Sequence, residues 1–263
     1  MKLFDSHAHY NDERFSEYHG GAAEALKESF KAGICGILCA GTSAETSDEC
    51  IALAESDGRI WASAGIHPSD SRFIPTGGET AALDEIKLRL THPRVCALGE
   101  IGLDYHYGGE DKGRQKFFFD SQLSMAEDVG LPVIVHDREA HGDVLDIILA
   151  HPNVTGVMHS FSGSAEFAAQ LVKAGWYISF AGPVTYKNAH NLRRAAAAVP
   201  PDRILVETDA PYLPPAPHRG EINLSKYLSL TAEAAANAAG IDFDEFCSLT
   251  VENTARLFGL KLV

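Results

Sequence analysis

The chain has 263 residues, 45% hydrophobic and 22% charged, a composition that excludes a disordered polypeptide and supplies apolar material for a large core. Asp and Glu outnumber Lys and Arg by 36 to 22, a formal charge of −14, so most of the surface repels polyanions and anionic membranes. That balance argues against broad binding along a DNA duplex, which rests on many Lys and Arg phosphate contacts.

Taken in order, the chain starts Met1-Lys2-Leu3-Phe4-Asp5-Ser6-His7, where charge arrives too early for the apolar core of a signal peptide. No later run approaches the roughly 18 apolar residues of a membrane span. Eight short apolar segments then recur, at residues 2–5, 34–40, 60–64, 95–98, 133–135, 155–158, 176–180 and 204–206, with the Val and Ile content expected of strands buried on both faces. Helical spacing fills the intervals, as at Ala22, Ala25, Leu26, Ser29 and Phe30, and around Phe167 and Leu171. Gly33, Gly130 and Gly175 read as left-handed helix ends, and Pro93, Pro132 and Pro152 follow such ends. The segment 225–260 reads as two consecutive helices with no strand between them.

Eight strand and helix units in this length predict an α/β fold of the (β/α)8 TIM barrel class, one domain over residues 1–263 with extra C-terminal helices. An open doubly wound sheet is the alternative, and no G-x-G-x-x-G or Walker A sequence marks a nucleotide crevice for it. Cys35, Cys39, Cys50, Cys96 and Cys247 are odd in number, and several lie in apolar runs, which predicts free thiols in a reduced, cytoplasmic protein.

Catalytic groups of this fold class sit at the C-terminal ends of strands. After the first apolar run come Asp5, His7 and His9; after the third, Gly65-Ile66-His67-Pro68; after the fourth, Gly99-Glu100-Ile101-Gly102-Leu103-Asp104. His136-Asp137-Arg138-Glu139 follows the fifth, His159-Ser160-Phe161-Ser162-Gly163 the sixth, and Glu207-Thr208-Asp209-Ala210-Pro211-Tyr212 the eighth. In an extended strand His7 and His9 point to one face, so both imidazoles can reach one ion. A lone H-x-H pair is weak, but six strand ends carrying His, Asp or Glu are not explained by core packing.

Imidazole with carboxylate suits Zn, Mn or Mg, and six ligands are too many for one catalytic ion that keeps an open position. Two divalent metal ions sharing a carboxylate fit better, which predicts metal-assisted hydrolysis by an activated water.

These blocks, in this order, resemble the TatD family of metal-dependent DNases within the amidohydrolase-like metal barrels, over essentially the whole chain. Related barrels with a carbamylated lysine would carry Lys at the end of the fourth strand, where this chain has Glu100. The resemblance implies that His7, His9, Glu100 and Asp209 hold one metal, and that Glu100, His136 and His159 hold the second, with Glu100 shared. It implies that Asp209 orients the attacking water and accepts its proton, and that His67, Arg138, Tyr212 and Arg219 grip substrate phosphates. It further implies a DNA substrate taken at single-stranded ends by a 3′–5′ exonuclease. Nothing in the residues sets an oligomeric state, and a monomer is the default.

An ion pair of Arg138 with Asp137, Glu139 or Asp143, and a structural role for His67, are the plainer alternatives for those two residues. Asp104, Tyr105 and Glu207 read as supports for the ligands. The family usually has Pro where this chain has Ser225, after Arg219 and Asn223, so the start of the following helix is expected to be looser. A second reading is hydrolysis of a carbonyl ester or amide, including aminoacyl-tRNA deacylation, because a metal hydroxide attacks carbon as well as phosphorus. A non-catalytic nucleic-acid binding module is a third, disfavoured by the acidic balance and by the lack of a basic patch interleaved with aromatics.

Overall fold

In a computed structural model, residues 2–107 and 111–261 are described. The strands are β1 (Leu3–Ala8), β2 (Ile34–Ala40), β3 (Ile60–Ala64), β4 (Val95–Asp104), β5 (Val133–Arg138), β6 (Gly156–Met158), β7 (Tyr177–Phe180) and β8 (Ile204–Val206). They follow one another in one parallel sheet in the order β1 to β8, the topology of the (β/α)8 TIM barrel class. The helices are α1 (Gly21–Lys31), α2 (Ala44–Ser56), α3 (Pro68–Ser71), α4 (Glu79–Arg89), α5 (Lys112–Val129), α6 (His141–Ala150), α7 (Ala165–Lys173), α8 (His190–Ala198), α9 (Leu228–Ala239) and α10 (Phe243–Phe258). All five cysteines are free thiols. No described helix is long and apolar enough to cross a membrane.

The chain divides into two compact units, Met1–Cys39 with His159–Val263, and Ala40–Met158. In the first, β1 pairs with β2 and β7 with β8, and Ala8 forms a parallel bridge to Ala210 just past β8. Its helices have readable causes. The Ser164 hydroxyl caps α7 by accepting the Phe167 N–H, and Phe167, Ala168 and Leu171 form the buried stripe. Asp242 accepts the N–H groups of Asp244 and Glu245 at the start of α10, and Gly259 ends it in the left-handed conformation. The two final helices that the sequence predicts are α9 and α10, and α10 packs on β1 and β8.

In the second unit β3, β4, β5 and β6 pair in sequence. Every residue of β4 is buried, and the strand runs on to Asp104, well past the apolar run that ends at Leu98. β1 likewise continues to Ala8 and β5 to Arg138. Periodicity stops at the first polar residue, whereas these strands keep pairing because their polar side chains find buried partners. Gly102 makes the extension of β4 possible: its φ is +135°, and a Cβ there would lie 2.0 Å from the carbonyl oxygen of His136 on β5.

Helix α5 reaches the same strand ends with two glutamine amides. Gln115 accepts the Asp104 N–H at 2.8 Å and donates to the Asp104 carbonyl at 2.9 Å. Gln122 accepts the Ile66 N–H at 2.7 Å and donates to the Ile66 carbonyl at 3.1 Å, fixing the residue before His67.

One ion pair ties α1 to the turn that precedes α9: Lys226 Nζ lies 2.7 Å from Glu28 Oε2, which also accepts the Tyr18 hydroxyl at 2.8 Å. These two hydrogen bonds hold the Glu28 carboxyl below its ordinary value of 4.5, with burial opposing them. A depressed folded-state value means that the pair stabilises the fold above the unfolded value and loses that contribution as pH falls through the folded one. In thermal melts, Lys226→Met is therefore expected to lower Tm at pH 7, with the gap to the parent closing below about pH 4. A gap independent of pH would show that the pair is not its source.

Candidate metal-binding site

Two sets of imidazole and carboxylate groups stand at the C-terminal ends of the strands, one in each unit. In the first unit, His7 lies within β1 and His9 just beyond it, and their Nε2 atoms come within 3.0 Å. Asp209 Oδ1 lies 3.7 Å from His7 Nε2 and 3.4 Å from His9 Nε2. The His159 ring stacks on His7 at a centroid distance of 4.0 Å. Ligand atoms of His7, His159 and Asp209 all lie within 4.8 Å of one another.

Each of these groups is aimed by something behind it. Glu207, fully buried, places Oε1 3.2 Å from His159 Nδ1 and accepts the Ser160 N–H at 2.7 Å. A carboxylate facing Nδ1 fixes the proton there and leaves His159 Nε2 as a lone pair for a cation. The other oxygen of Glu207 is buried without a hydrogen-bond partner among the described residues, which suits a neighbourhood completed by a positive charge.

Asp209 has φ +59°, a left-handed conformation unusual for a residue with a side chain. Its N–H donates to the His7 carbonyl at 2.9 Å, and its own carbonyl accepts the Tyr212 N–H at 2.8 Å. Burial acts to raise the Asp209 pKa, but the hydrogen bond to His9 and the imidazoles of His159, His7 and His9 outweigh it and hold the group below the ordinary carboxylate range.

Asp5, also fully buried, anchors this arrangement. It accepts the Thr208 N–H at 2.9 Å, the Thr208 hydroxyl at 2.5 Å and the Ser225 hydroxyl at 2.6 Å. Burial pushes its pKa up to about 7, against those hydrogen bonds and with the charge of Glu207 adding to the rise. The Asn223 amide donates to the carbonyls of Thr208 and Tyr212 at 2.8 and 2.7 Å, bracketing Asp209.

Ser225 corrects the expectation of a looser helix start. Its side chain is buried, donates to Asp5 and accepts the Tyr10 hydroxyl at 2.9 Å, while its N–H donates to the same Tyr10 oxygen at 3.1 Å. Proline would supply neither donor, so the serine replaces backbone restriction with a hydrogen-bonded lock.

In the second unit the set is His67, Glu100 and His136. His136 Nδ1 lies 2.9 Å from Glu100 Oε1, and its Nε2 lies 3.3 Å from Asp104 Oδ2. Burial acts to raise the Asp104 pKa, but hydrogen bonds from His136 and from the N–H groups of Tyr107 and His106 lower it to about 2. With Nε2–H held by that carboxylate, His136 turns Nδ1 toward Glu100, so that the two could hold one cation between them.

His67 differs. Its Nδ1 accepts the Ser69 N–H at 3.1 Å as the cap of α3, which puts the proton on Nε2, 3.5 Å from Glu100 Oε1. Although close enough to join a ligand cluster, this imidazole is a hydrogen-bond donor, the role required of a phosphate-binding group.

The other phosphate-binding candidates share a geometry. The Arg138 guanidinium lies over the Tyr107 ring, 4.7 Å from its centroid, and Arg219 lies over Tyr186 at 4.6 Å. Tyr212 carries Arg14 over its ring at 4.6 Å, donates its hydroxyl to Asp12 and stands 6.0 Å from the His9 ring. The ion pair considered for Arg138 does not form among the described residues. Asp137 pairs with His141 at 2.6 Å, Glu139 with His106 at 2.8 Å, and Asp143 with Lys116 at 2.8 Å. Tyr107, Tyr186 and Arg14 are not singled out by the sequence, because each meets its partner across a long stretch of chain and no local motif signals it.

The model of the TatD-related DNase family matches residues 4–259. The metal-dependent hydrolase YabD of Bacillus subtilis is 38% identical over 98% of this chain and 100% of its own length. The metal-dependent hydrolase YcfH of Escherichia coli is 36% identical over 98% and 96%. The crystal structure of the TatD homologue YjjV of Escherichia coli matches with a TM-score of 0.91 at 29% identity, covering 98% of both chains. Organophosphorus hydrolase variants share the fold at 16% identity and a TM-score of 0.67.

Two substitutions test the supports. Ser225→Pro is expected to destabilise the fold by about 2–4 kcal/mol through lost donors to Asp5 and Tyr10, with Ser225→Ala in between, measured by urea unfolding. A proline variant as stable as the parent would remove the lock. Asp104→Asn is expected to weaken Mn2+ or Zn2+ binding about 10- to 100-fold in calorimetric titration. Unchanged affinity would mean that Asp104 does not orient His136.

Proposed function

The chain belongs to the TatD family of metal-dependent hydrolases, and from that premise we propose that it is a deoxyribonuclease that removes nucleotides from single-stranded 3′ ends. The proposed ligand set is His7, His9, Glu100, His136, His159 and Asp209, serving two divalent ions. Imidazoles whose second nitrogens face buried carboxylates, with Asp209 kept anionic, fit Zn2+, Mn2+ or Mg2+. Such ions lower the pKa of a bound water and draw charge from phosphoryl oxygens.

The observation that carries a phosphodiester over a small uncharged carbonyl substrate is the state of the arginines. Arg138 and Arg219 have no carboxylate partner among the described residues, and each is held on a tyrosine ring. A guanidinium so placed keeps its fork of N–H donors for phosphate oxygens, whereas an uncharged ester offers that fork no anionic oxygen pair to bind. His67 adds a neutral donor at Nε2. Asp209, anionic and buried beside His7 and His9, is the group to orient the attacking water and take its proton on a carboxylate oxygen.

The acidic total is consistent with this reading, because Glu100 and Asp209 serve a cation site and the substrate is gripped at one end only. The test incubates metal-reconstituted protein with end-labelled single-stranded DNA, duplex DNA, RNA and an uncharged carboxylic ester. Single-stranded DNA is expected to shorten from its 3′ end, chelation to stop the reaction, and Glu100→Ala or Asp209→Ala to reduce it at least a hundredfold. Arg138→Ala is expected to slow DNA cleavage far more than any ester turnover. Ester hydrolysis without DNA cleavage, or full activity in the Asp209 variant, would overturn the proposal.

A further inference from the structure

A lone exposed tyrosine is ordinary on a protein surface. Tyr107 is more constrained than that. It is 67% exposed, yet its backbone is fixed, because Asp104 Oδ1 accepts the N–H groups of both His106 and Tyr107, at 2.9 and 2.8 Å. The other oxygen of the same carboxylate faces His136. The Tyr107 ring is therefore presented to solvent on a turn tied directly to a proposed metal ligand.

The Arg138 guanidinium lies over this ring, and it has no carboxylate partner among the described residues: Asp137 is engaged by His141, Glu139 by His106, and Asp143 by Lys116 and the Tyr105 hydroxyl. Lys112 adds positive charge over the neighbouring Tyr105 ring at 4.1 Å. The His106 ring stands perpendicular to that of Tyr107 at 4.7 Å and leaves the tyrosine largely exposed. An exposed aromatic ring beside a cation that keeps its hydrogen-bonding capacity is the combination by which proteins hold single-stranded nucleic acid, stacking for the base and charge for the backbone.

We propose that Tyr107 and Arg138 form a nucleotide subsite, the ring stacking a base and the guanidinium holding a phosphate attached to that nucleotide. The assignment rests on the nuclease reading for its ligand class and adds to it a contact with the base, which neither the metal ligands nor the phosphate-binding groups supply. Stacking accepts any base, so the subsite favours unpaired DNA over duplex without selecting a sequence.

The test measures equilibrium binding of a labelled, phosphorothioate-linked single-stranded oligonucleotide by the metal-loaded protein, which resists cleavage during the titration. Tyr107→Ala is expected to weaken binding about tenfold, and Tyr107→Phe, which keeps the ring, to stay within about twofold of the parent. A second series places one abasic residue at each of the last few positions in turn. At one position the parent is expected to lose the same factor, and Tyr107→Ala no further affinity, as a double-mutant cycle requires.

If Tyr107→Ala binds as the parent does, or Phe fails to restore binding, or the loss persists whichever base is removed, the subsite is overturned. A parent that binds the phosphorothioate strand in this base-dependent way but leaves ordinary DNA uncleaved would refute the nuclease reading and support the subsite. A parent that neither binds nor cleaves would refute both.

Discussion

A buried carboxylate that accepts hydrogen bonds from a side chain and from the backbone of a turn is the device on which the rest of this molecule depends. Asp104 joins His136 to the N–H groups of His106 and Tyr107. Glu207 joins His159 to the Ser160 N–H. Asp5 joins the Thr208 backbone to the hydroxyls of Thr208 and Ser225. In each case one carboxyl group gathers donors from separate parts of the chain, and for Asp104 and Glu207 it both orients an imidazole and closes the loop that follows the strand. Satisfying so many donors is what allows these charged residues to sit inside a packed fold.

Backbone conformation shows where that device is under load. The non-glycine residues with positive φ among those described are Glu139, Ser160, Asp209 and Leu213, all in the segments that leave β5, β6 and β8. Ser160 follows the ligand candidate His159, and Asp209 is itself a ligand candidate. Such conformations persist where surrounding hydrogen bonds over-determine them, and they gather where side chains must be aimed. The Arg and Tyr pairs act on the side-chain level in a similar sense: a guanidinium resting on a ring has lost part of its rotamer freedom before any ligand arrives.

Much of this was legible in the residues alone. All eight strands lie where the apolar runs predict, and of the groups that follow those runs His7, His159 and Asp209 lie together in one unit and His67, Glu100 and His136 in the other. Strand ends were less legible, since Glu100 and His136 lie inside β4 and β5, and periodicity cannot tell a paired polar residue from the start of a loop. The tautomer of His67 depends on a cap to Ser69. The role of Ser225 depends on Asp5, some two hundred residues away in the chain. Tyr107 and Arg138, or Tyr186 and Arg219, become interleaved aromatic and basic groups only after folding, and for that reason no basic aromatic patch could be read from the chain.

The position of Asp104 has a thermodynamic consequence. Asp104 is shared by His136 and by the turn that carries Tyr107, so on the proposed reading cation affinity and turn order are coupled through one carboxylate. Linkage then requires symmetry: by whatever factor an ordered turn tightens the cation, the cation tightens whatever orders the turn. Substrate and metal would in that case select one another, and a chain with a net charge of −14 would hold the proposed polyanionic substrate firmly only with a cation in place.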